Sequence, residues 1–418
     1  MWYIKTGRRF LNKNFWIVII TTFVILTGIF FTFSRIQHNN EVIFWTLQMN
    51  DFAPYIENVI SEFEKENPQI KIKWIDVPFS EGEKRTLAAV LSSNPPDLVN
   101  LNPDFSATLA HKGALYEIPQ HATTQFNSEI LDSLKYNGKI YSIPWYATSA
   151  ITIYNKDLLK KSGITLPKTY QDIANSAEIV KQKTNAYLIL PNLTENDTTL
   201  KILNKYGITN SENINSKKAV SIFNMFKQLY IKDLIPKETV STTLQESLEK
   251  YMSGNIVLIN AGANFLNMIK ENAPTTYLKT DVAPQITGEL GQNDFSLMNF
   301  VIPLKAKHKD EALKFALFIT NDKNQLELAK LTNILATNKK TLQNEFYTKY
   351  NEDDLMAKAR VISAKQLNKI QPVFHTQRAQ KDINNIVNLS VQEILLDNNN
   401  TQTVLNKLSK EWNNLNDE

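Results

Sequence analysis

The chain has 418 residues, with 46 lysine and arginine residues, 42 aspartate and glutamate residues and no cysteine. Because single hydrophobic cores stop growing at roughly 250–300 residues, a chain of this length is expected to fold as two lobes. Without cysteine the chain can form no disulfide, thiolate metal site or lipid-modified cysteine.

The net positive charge is confined to the first 40 residues. They contain five cations and no acid: Lys5, Arg8, Arg9, Lys13 and Arg35. Acidic and basic residues are therefore balanced from Glu41 onward. A nucleic-acid-binding protein carries its basic surface on the folded domain, so we expect no nucleic-acid partner.

An uncharged apolar segment, FWIVIITTFVILTGIFFTF, occupies residues 15–33. As a helix it would span most of a hydrocarbon core of roughly 30 Å. The preceding cations predict a cytoplasmic basic tail over 1–14, with a linker at 34–41 leading to an exported body. A cleaved signal peptide is the alternative, but only Thr32-Phe33-Ser34 approximates a cleavage site, which favours an uncleaved anchor.

The first part of the body is predicted to alternate strands and helices. Apolar or alternating runs at 42–45, 70–77 and 97–101 are typical of strands, and the segments between them have helical periodicity and end at proline. This βαβαβ order predicts a parallel sheet with right-handed crossovers. The expected fold class is therefore α/β.

Four candidate ligand-binding residues follow these strands. Ligands of parallel sheets bind beyond the carboxyl ends of the strands. That rule selects Gln48 after the first strand, Phe79 after the second, and Asn102 with Asp104 after the third. Capping of the next helix is an equally good interpretation of Asn102 or Asp104.

The stretch 137–159, NGKIYSIPWYATSAITIYNKDLL, contains two predicted strands around an aromatic pair. The first strand ends at Pro144, Trp145 and Tyr146 follow, and the second strand covers 150–154. The two strands form either a hairpin or a crossing from one lobe to the other. If the stretch crosses between lobes, Trp145 and Tyr146 lie in a cleft between them. We expect both side chains to contact a ligand there, with packing between the lobes as the alternative.

The later elements are mostly helical. Helices are predicted over 219–231, 244–253 and 309–320, and strands over 186–190, 255–260, 281–283 and 297–303. The segment 192–216 is rich in Asn, Thr and Ser and is predicted to form loops with one short helix. Asn264 and Phe265 follow the strand at 255–260, so they join the candidate ligand-binding residues. The final segment places Leu405, Leu408 and Trp412 on one helix face.

The sequence contains no GxGxxG, Walker, HExxH or GxSxG motif, and its five histidines never lie three or four residues apart. We therefore expect no catalytic residues, no metal site and no cofactor. The aromatic and amide side chains at strand ends are suited to sugars, because aromatic faces stack on sugar rings and amides bond to hydroxyls.

Six strings together resemble the family 1 extracellular solute-binding proteins of ABC importers, which include maltose-binding and other sugar-binding proteins. They are EFEKENPQIKIKW, NPPDLVNL, LAHKGALYEI, NGKIYSIPWYATSAITIYNKDLLKKSGI, YMSGNIVLINAGANF and FVIPLKAKHKDEALKFALFIT. The resemblance implies the type II periplasmic-binding-protein fold, with two lobes joined by hinge strands. The order of the six strings along the chain, taken with this resemblance, implies a first lobe of 42–146 plus 276–322 and a second lobe of 147–275 plus 323–418.

The resemblance also implies a function. The chain would bind a sugar or small glycoside at the outer face of the cytoplasmic membrane or in the periplasm, and deliver it to a permease driven by a separate ATPase. Asp104 matches a family position that contacts sugar hydroxyls, and Trp145 with Tyr146 matches a segment that lines the cleft. In maltose-type members a tryptophan that stacks on the sugar occupies the position of Ala263. Those members also carry a carboxylate side chain at the position of Thr148. These departures leave a membrane-tethered sensor or scaffold as the alternative.

Overall fold

The computed structural model describes residues 40–371 and 380–417, so the predicted membrane segment at 15–33 lies outside the described residues. Within those two ranges, no helix combines the length and the apolar character needed to cross a membrane. The described chain forms two main sheets, each covered by helices.

The strands are β1 (Asn40–Leu47), β2 (Ile70–Val77), β3 (Leu98–Leu101), β4 (Lys135–Tyr136), β5 (Lys139–Ile140), β6 (Ser142–Thr148), β7 (Ala150–Asn155), β8 (Tyr187–Ile189), β9 (Ile256–Gly262), β10 (Thr280–Pro284), β11 (Ser296–Val301) and β12 (Leu335–Ala336).

The α-helices are α1 (Ala53–Glu66), α2 (Phe79–Leu91), α3 (Pro103–His111), α4 (Ser128–Ser133), α5 (Lys156–Ser162), α6 (Tyr170–Thr184), α7 (Thr198–Asn204), α8 (Lys217–Ile231), α9 (Leu244–Met252), α10 (Phe265–Asn272), α11 (Pro274–Leu278), α12 (Lys309–Ile319), α13 (Asp322–Thr332), α14 (Lys339–Leu342), α15 (Glu345–Thr348), α16 (Leu355–Gln366), α17 (Gln380–Leu395) and α18 (Thr401–Asp417).

The first sheet has six strands in the order β12-β6-β11-β3-β1-β2. β1 pairs in parallel with β2 and β3, which confirms the parallel sheet predicted from the βαβαβ pattern. β11 is antiparallel to both β3 and β6, so the sheet is mixed. Its core contains an aromatic cluster in which Phe315 contacts Phe44 and Phe63 edge-to-face, at 5.2 and 5.0 Å between ring centroids.

The second sheet has four strands in the order β10-β7-β9-β8. β8 is parallel to β9, while β7 is antiparallel to both β9 and β10. The terminal helix α18 packs on the helices covering this sheet. Its residues Leu405, Leu408 and Trp412 are at most 1% exposed, which confirms the predicted amphipathic face.

The stretch 137–159 crosses from one sheet to the other and is not a hairpin. β6 pairs within the six-stranded sheet, and β7, which begins two residues after β6 ends, pairs within the four-stranded sheet. The chain crosses back between β10 and β11. After β12 it crosses a third time, because α16 packs on β7 and β10.

The strand pairing divides the chain differently from the lobes implied by the resemblance. That division gave 276–322 to the first lobe, but β10 pairs in the four-stranded sheet. It gave everything from 323 onward to the second lobe, but β12 pairs with β6 in the six-stranded sheet. The reason is that β10 lies directly before a crossing and β12 is only two residues long, so sequence order does not reveal the partner sheet of either strand.

A buried polar network joins the three crossings. The Gln366 side chain donates to the Ser149 hydroxyl and the Ala150 carbonyl, at 2.9 and 2.8 Å, and accepts from the Gln285 N–H at 2.7 Å. The Gln285 side-chain amide in turn donates to the Asp294 carbonyl at 3.0 Å. Each crossing therefore contributes to one network, which fixes the backbone between the sheets.

An ion pair also links α16 to β10. Lys358 Nζ lies 2.8 Å from Asp281 Oδ1, and both side chains are largely buried. Burial acts to raise the pKa of Asp281, but hydrogen bonds from Lys358, the Val282 N–H and Tyr154 outweigh it and hold the pKa below its ordinary value of 3.8.

We expect Asp281→Asn to lower the free energy of unfolding by about 1 kcal/mol at neutral pH. Because the folded-state pKa is depressed, the carboxylate stabilises the fold above its ordinary pKa, and this contribution is lost as pH falls through the folded-state value. Urea unfolding from pH 7 to pH 3 should therefore show the difference between wild type and variant shrinking below about pH 4. A difference that stayed constant to pH 3 would contradict this assignment.

Candidate functional site

Three adjoining cavities form a cleft between the two sheets, with volumes of about 200, 340 and 290 Å³. The first, here the charged cavity, shares Lys201, Asp294 and Phe295 with the second, the central cavity. The central cavity shares Ser149 and Asn264 with the third, the aliphatic cavity. Residues of both sheets and of the crossings therefore line one continuous space.

The charged cavity brings together the ends of α3 and α7. Asn102 precedes α3, and its Oδ1 accepts the Phe105 N–H at 2.8 Å, so this residue caps the helix and also lines the cavity. Asp104 lies in the first turn of the same helix. From the other side come Asp197 and Lys201, whose charged groups are 3.1 Å apart.

Carboxylates surround the Lys201 ammonium. Burial works against its charge, but Asp197, Asp294 and Asp104 outweigh this effect and raise the pKa of Lys201 above its ordinary value. The ammonium therefore remains protonated at neutral pH. Because Asp104 lies on the six-stranded side and Lys201 on the four-stranded side, their attraction acts across the cleft.

A second amine lies behind the cavity wall. Lys205, which is 1% exposed, places its Nζ 2.8 Å from Asp294 Oδ2. Burial lowers the pKa of Lys205, although the Asp294 carboxylate opposes this effect. Lys205 itself is outside the set of residues that line the cavities.

The aliphatic cavity lies at the opposite end of the cleft. Its apolar walls come from β6, α13, β12 and the loop after β1, and include Met49, Phe52, Tyr146, Leu328, Ile334 and Leu335. Burial raises the pKa of Tyr146 to about 12, so its hydroxyl is neutral and can donate a hydrogen bond.

Asp76 fixes the loop that carries Met49 and Phe52. Its carboxylate accepts the Met49 N–H at 2.9 Å, the Asn50 N–H at 3.0 Å and the Thr46 hydroxyl at 2.6 Å. A carboxylate that accepts several backbone N–H groups holds a turn in one conformation. The sequence prediction did not identify Asp76, because it lies within β2 and not after it.

The structure brings five of the predicted residues to the cleft. Asn102 and Asp104 line the charged cavity, Phe265 the central cavity, Tyr146 the aliphatic cavity, and Asn264 both of the last two.

Gln48 and Phe79 are placed differently. Gln48 is exposed, has a φ of 52°, and donates its N–H to the Val77 carbonyl at 3.0 Å, so it forms the turn after β1 and is not among the cavity-lining residues. Phe79 begins α2, and its side chain is outside the described part of the structure.

Trp145 lies in the core and not in the cleft, which corrects the prediction. Its side chain is 0% exposed and stacks on Phe300 at 4.6 Å between centroids. The aromatic pair lies inside β6, where a bulge aligns Pro144 with Asn299 and Tyr146 with Met298, so Trp145 has no partner on β11. Adjacent strand residues point to opposite faces, so Tyr146 reaches the cavity while Trp145 packs inward.

Sequence reasoning missed several polar and aromatic residues of the cleft, including Asp197, Lys201, Asp294 and Phe295. Asp197 and Lys201 belong to the segment read as loops with one short helix, whose composition gave no reason to select them. Asp294 and Phe295 precede β11, whereas the strand-end rule searched only the carboxyl ends. Since β11 is antiparallel to β3, its amino end lies at the same sheet edge as Asn102.

The cleft can recognise a hydroxyl-rich molecule. Carboxylates and amides line one end, and half-buried aromatic rings such as Phe295 and Tyr146 line the rest. Carboxylates accept hydrogen bonds from hydroxyls, and aromatic faces stack on the C–H faces of sugar rings. Among residues 40–371 and 380–417, no group of three or more His, Cys, Asp or Glu side chains could hold a metal ion.

A family model described as bacterial extracellular solute-binding protein matches residues 47–326. The multiple sugar-binding protein of Streptococcus mutans serotype c is 25% identical over 327 residues, covering 69% of this chain and 73% of that protein.

Solved structures of binding proteins are similar to this chain in fold. The crystal structure of a candidate oligosaccharide periplasmic-binding protein from Synechococcus sp. MITs9220 matches with a TM-score of 0.79 and 27% identity, covering 90% of this chain and 99% of that one. The sugar-binding protein MalE from Xanthomonas citri matches with a TM-score of 0.76 and 18% identity, covering 90% of this chain and 97% of that one. The described chain thus has the two-sheet α/β fold of periplasmic binding proteins.

Proposed function

Since the chain belongs to the bacterial extracellular solute-binding proteins, a non-enzymatic family that serves ABC importers, we propose that it binds a sugar or small glycoside between two lobes. It then delivers this ligand to permease subunits that a separate ATPase drives. The observation that carries the proposal is the continuous cleft, which has hydroxyl-binding side chains at one end and half-buried aromatic rings along its length.

The proposed lobes follow the sheets. The first lobe holds 40–148 and 296–336 with the helices packed on them, and the second holds 150–284 and α16 to α18. The three crossings between them act as the hinge. A ligand that contacts both lobes has higher affinity for the closed arrangement, so binding shifts the population toward closure.

The body lies outside the cytoplasm, as expected of this family, and we propose that the apolar segment 15–33 tethers it to the membrane beside the permease. The cations that precede this segment support the orientation. Release of the full-length chain from membranes by a high-salt wash would contradict the tether.

A membrane-tethered sensor or scaffold that keeps this fold is the second candidate. It is favoured by Ala263, which stands where the resemblance implies a stacking tryptophan and is 9% exposed at the edge of the aliphatic cavity. A sensor would bind ligand without supporting uptake. Sugar uptake by cells that lack the chain, compared with cells that have it, separates the two functions.

The proposal predicts that at least one neutral sugar stabilises and compacts the protein. The full-length chain is to be titrated with glucose, trehalose, sucrose, maltose and maltotriose by calorimetry, thermal unfolding and small-angle scattering. A sugar at 100 times its Kd should add about 2.7 kcal/mol to the free energy of unfolding. It should also reduce the radius of gyration. Failure of every sugar to do either would reject the proposal.

Two asparagines, Asn264 directly before α10 and Asn267 within it, provide a matched pair for this experiment. Asn264 and Asn267 are both exposed, but only Asn264 lines the cavities. Loss of one hydrogen bond to ligand costs about 0.5–1.5 kcal/mol, so Asn264→Ala should weaken binding by roughly 2- to 12-fold. Asn267→Ala should bind the sugar as the wild type does.

A further inference from the structure

Asp294 is held rigidly at the crossing between β10 and β11. Its N–H donates to Gln285 Oε1 at 2.9 Å, and its carbonyl accepts from the Ser149 hydroxyl at 3.1 Å and from Gln285 Nε2 at 3.0 Å. The residue lines both the charged and the central cavity. A side chain on the hinge itself therefore faces the space proposed for the ligand.

The two carboxylate oxygens of Asp294 have different surroundings. Oδ2 lies 2.8 Å from Lys205 Nζ. Oδ1 is shielded from solvent and has no hydrogen-bond partner among residues 40–371 and 380–417. A buried oxygen without a donor destabilises the fold, and a hydroxyl donated by a molecule in the adjoining cavities would remove that penalty.

Lys205 is arranged to hold this carboxylate. Besides Asp294, its ammonium donates to Gln285 Oε1 at 2.9 Å and to the Ile286 carbonyl at 2.7 Å, so all three N–H groups have acceptors. Buried ion pairs contribute little net stability, because desolvation offsets their attraction. This pair is better explained by the position it gives to Asp294 than by the stability it adds.

Among residues 40–371 and 380–417, the charged side chains at this end of the cleft are mostly acidic. Asp104, Asp197 and Asp294 face Lys201, and Lys205 lies behind them, so the described residues contribute three carboxylates and two amines here. Carboxylates accept hydrogen bonds from hydroxyls and repel phosphate and carboxylate groups.

We propose that Asp294 contacts the ligand and determines specificity for neutral, hydroxyl-bearing molecules over their anionic derivatives, and that Lys205 is a positioning residue for its carboxylate. This inference rests on the proposed function, because it needs the cleft to bind a sugar. It adds that the hinge supplies a ligand contact, so that binding acts directly on the segment that moves.

The test uses matched pairs of probes that differ by one phosphate: trehalose and trehalose 6-phosphate, sucrose and sucrose 6-phosphate, and maltose and maltose 1-phosphate. For the pair whose neutral member binds most tightly, wild-type protein should prefer that member at least 10-fold. Asp294→Asn keeps an acceptor for Lys205 but places an N–H₂ group at the Oδ1 position. This variant should weaken binding of the neutral sugar at least 10-fold and reduce the preference for the neutral sugar over its phosphorylated partner.

Asp281→Asn is the matched control. It breaks another largely buried lysine–aspartate pair of 2.8 Å, but neither Asp281 nor Lys358 is a cavity-lining residue. Its affinity for every probe and its preference for neutral sugars should equal those of the wild type.

A pair of variants separates positioning from stability. Lys205→Met leaves the Asp294 carboxylate without its cation and should lower both the melting temperature and the affinity. The double variant Lys205→Met with Asp294→Leu removes both charges, so it should regain most of the melting temperature. It should not regain the affinity or the preference for neutral sugars.

The outcomes are distinguishable. If a neutral sugar binds and Asp294→Asn or the double variant binds it as the wild type does, the inference is overturned and the proposed function stands. Equal or tighter binding of a phosphorylated partner by the wild type also overturns it. If no probe of either charge binds, the proposed function fails and this inference fails with it.

Discussion

Replacing Trp145 by alanine is expected to lower the free energy of unfolding by about 3–5 kcal/mol, the range for truncating a fully buried aromatic side chain. The indole is 0% exposed, stacks on Phe300 at 4.6 Å and contacts Tyr146 edge-to-face at 5.0 Å. Alanine would leave a cavity beside both rings, in the interior of the six-stranded sheet. Urea unfolding followed by circular dichroism measures the loss.

Trp145→Phe is the control, since it keeps a ring against Phe300 and should cost less than half as much. Sugar affinity distinguishes a core role of Trp145 from the ligand contact that the sequence predicted for it. At temperatures where the alanine variant is folded, its affinity for the best-bound neutral sugar should stay within a few fold of the wild type. Wild-type stability of the alanine variant together with a loss of sugar affinity would show that Trp145 contacts the ligand.

Replacing Gln366 by leucine is expected to cost about 2–4 kcal/mol and to change the angle between the lobes. The substitution removes the acceptor of the Gln285 N–H and a donor to the Ala150 carbonyl and the Ser149 hydroxyl. The Gln285 N–H is left without its acceptor, which costs about 1–3 kcal/mol, and the hydrogen bonds lost by Ser149 and Ala150 add to this cost, although both keep a contact with Gln285 Nε2 at 3.3 Å. Because all three crossings lose contacts, the ligand-free radius of gyration measured by small-angle scattering should also change.

Gln325→Leu is a matched control for that variant. Gln325 is a second buried glutamine, which donates to the Trp145 carbonyl at 2.6 Å and accepts the N–H groups of Thr337 and Asn338 at 2.7 and 2.9 Å. Trp145 lies in β6, and Thr337 and Asn338 directly follow β12, so all of these partners lie at the six-stranded sheet. Its loss should destabilise the protein by a similar amount without changing the radius of gyration. An equal change in both variants would show that the crossings do not set the angle.

Most secondary structure was predictable because its signals are local. The alternation in 70–77 gives both ends of β2, and the proline after Asn67 marks the end of α1. The strand pattern alone did not show whether 137–159 forms a hairpin or crosses between the sheets, because two adjacent strands can pair with each other or belong to different sheets. The sequence resemblance favoured the crossing, and the strand pairing confirms it.

The site was less predictable because it depends on tertiary pairing. The strand-end rule found Asn102 and Asp104 beyond a parallel strand, but Asp294 precedes an antiparallel one that reaches the same edge. Nothing in the local sequence gives the direction of β11. Trp145 was misplaced for a related reason, since the bulge that turns it inward arises from pairing with β11 and not from the residues around Pro144.

The interleaved order of the strands also constrains when the protein can fold. The six-stranded sheet receives β11 and β12 only after the whole four-stranded sheet has been synthesised, so β3 lacks one neighbour until then. At about 5–20 residues per second, the ribosome reaches residue 336 after roughly 17–70 s. Pairing between distant segments delays folding further. We therefore expect the six-stranded sheet to remain incomplete through most of the synthesis of the chain.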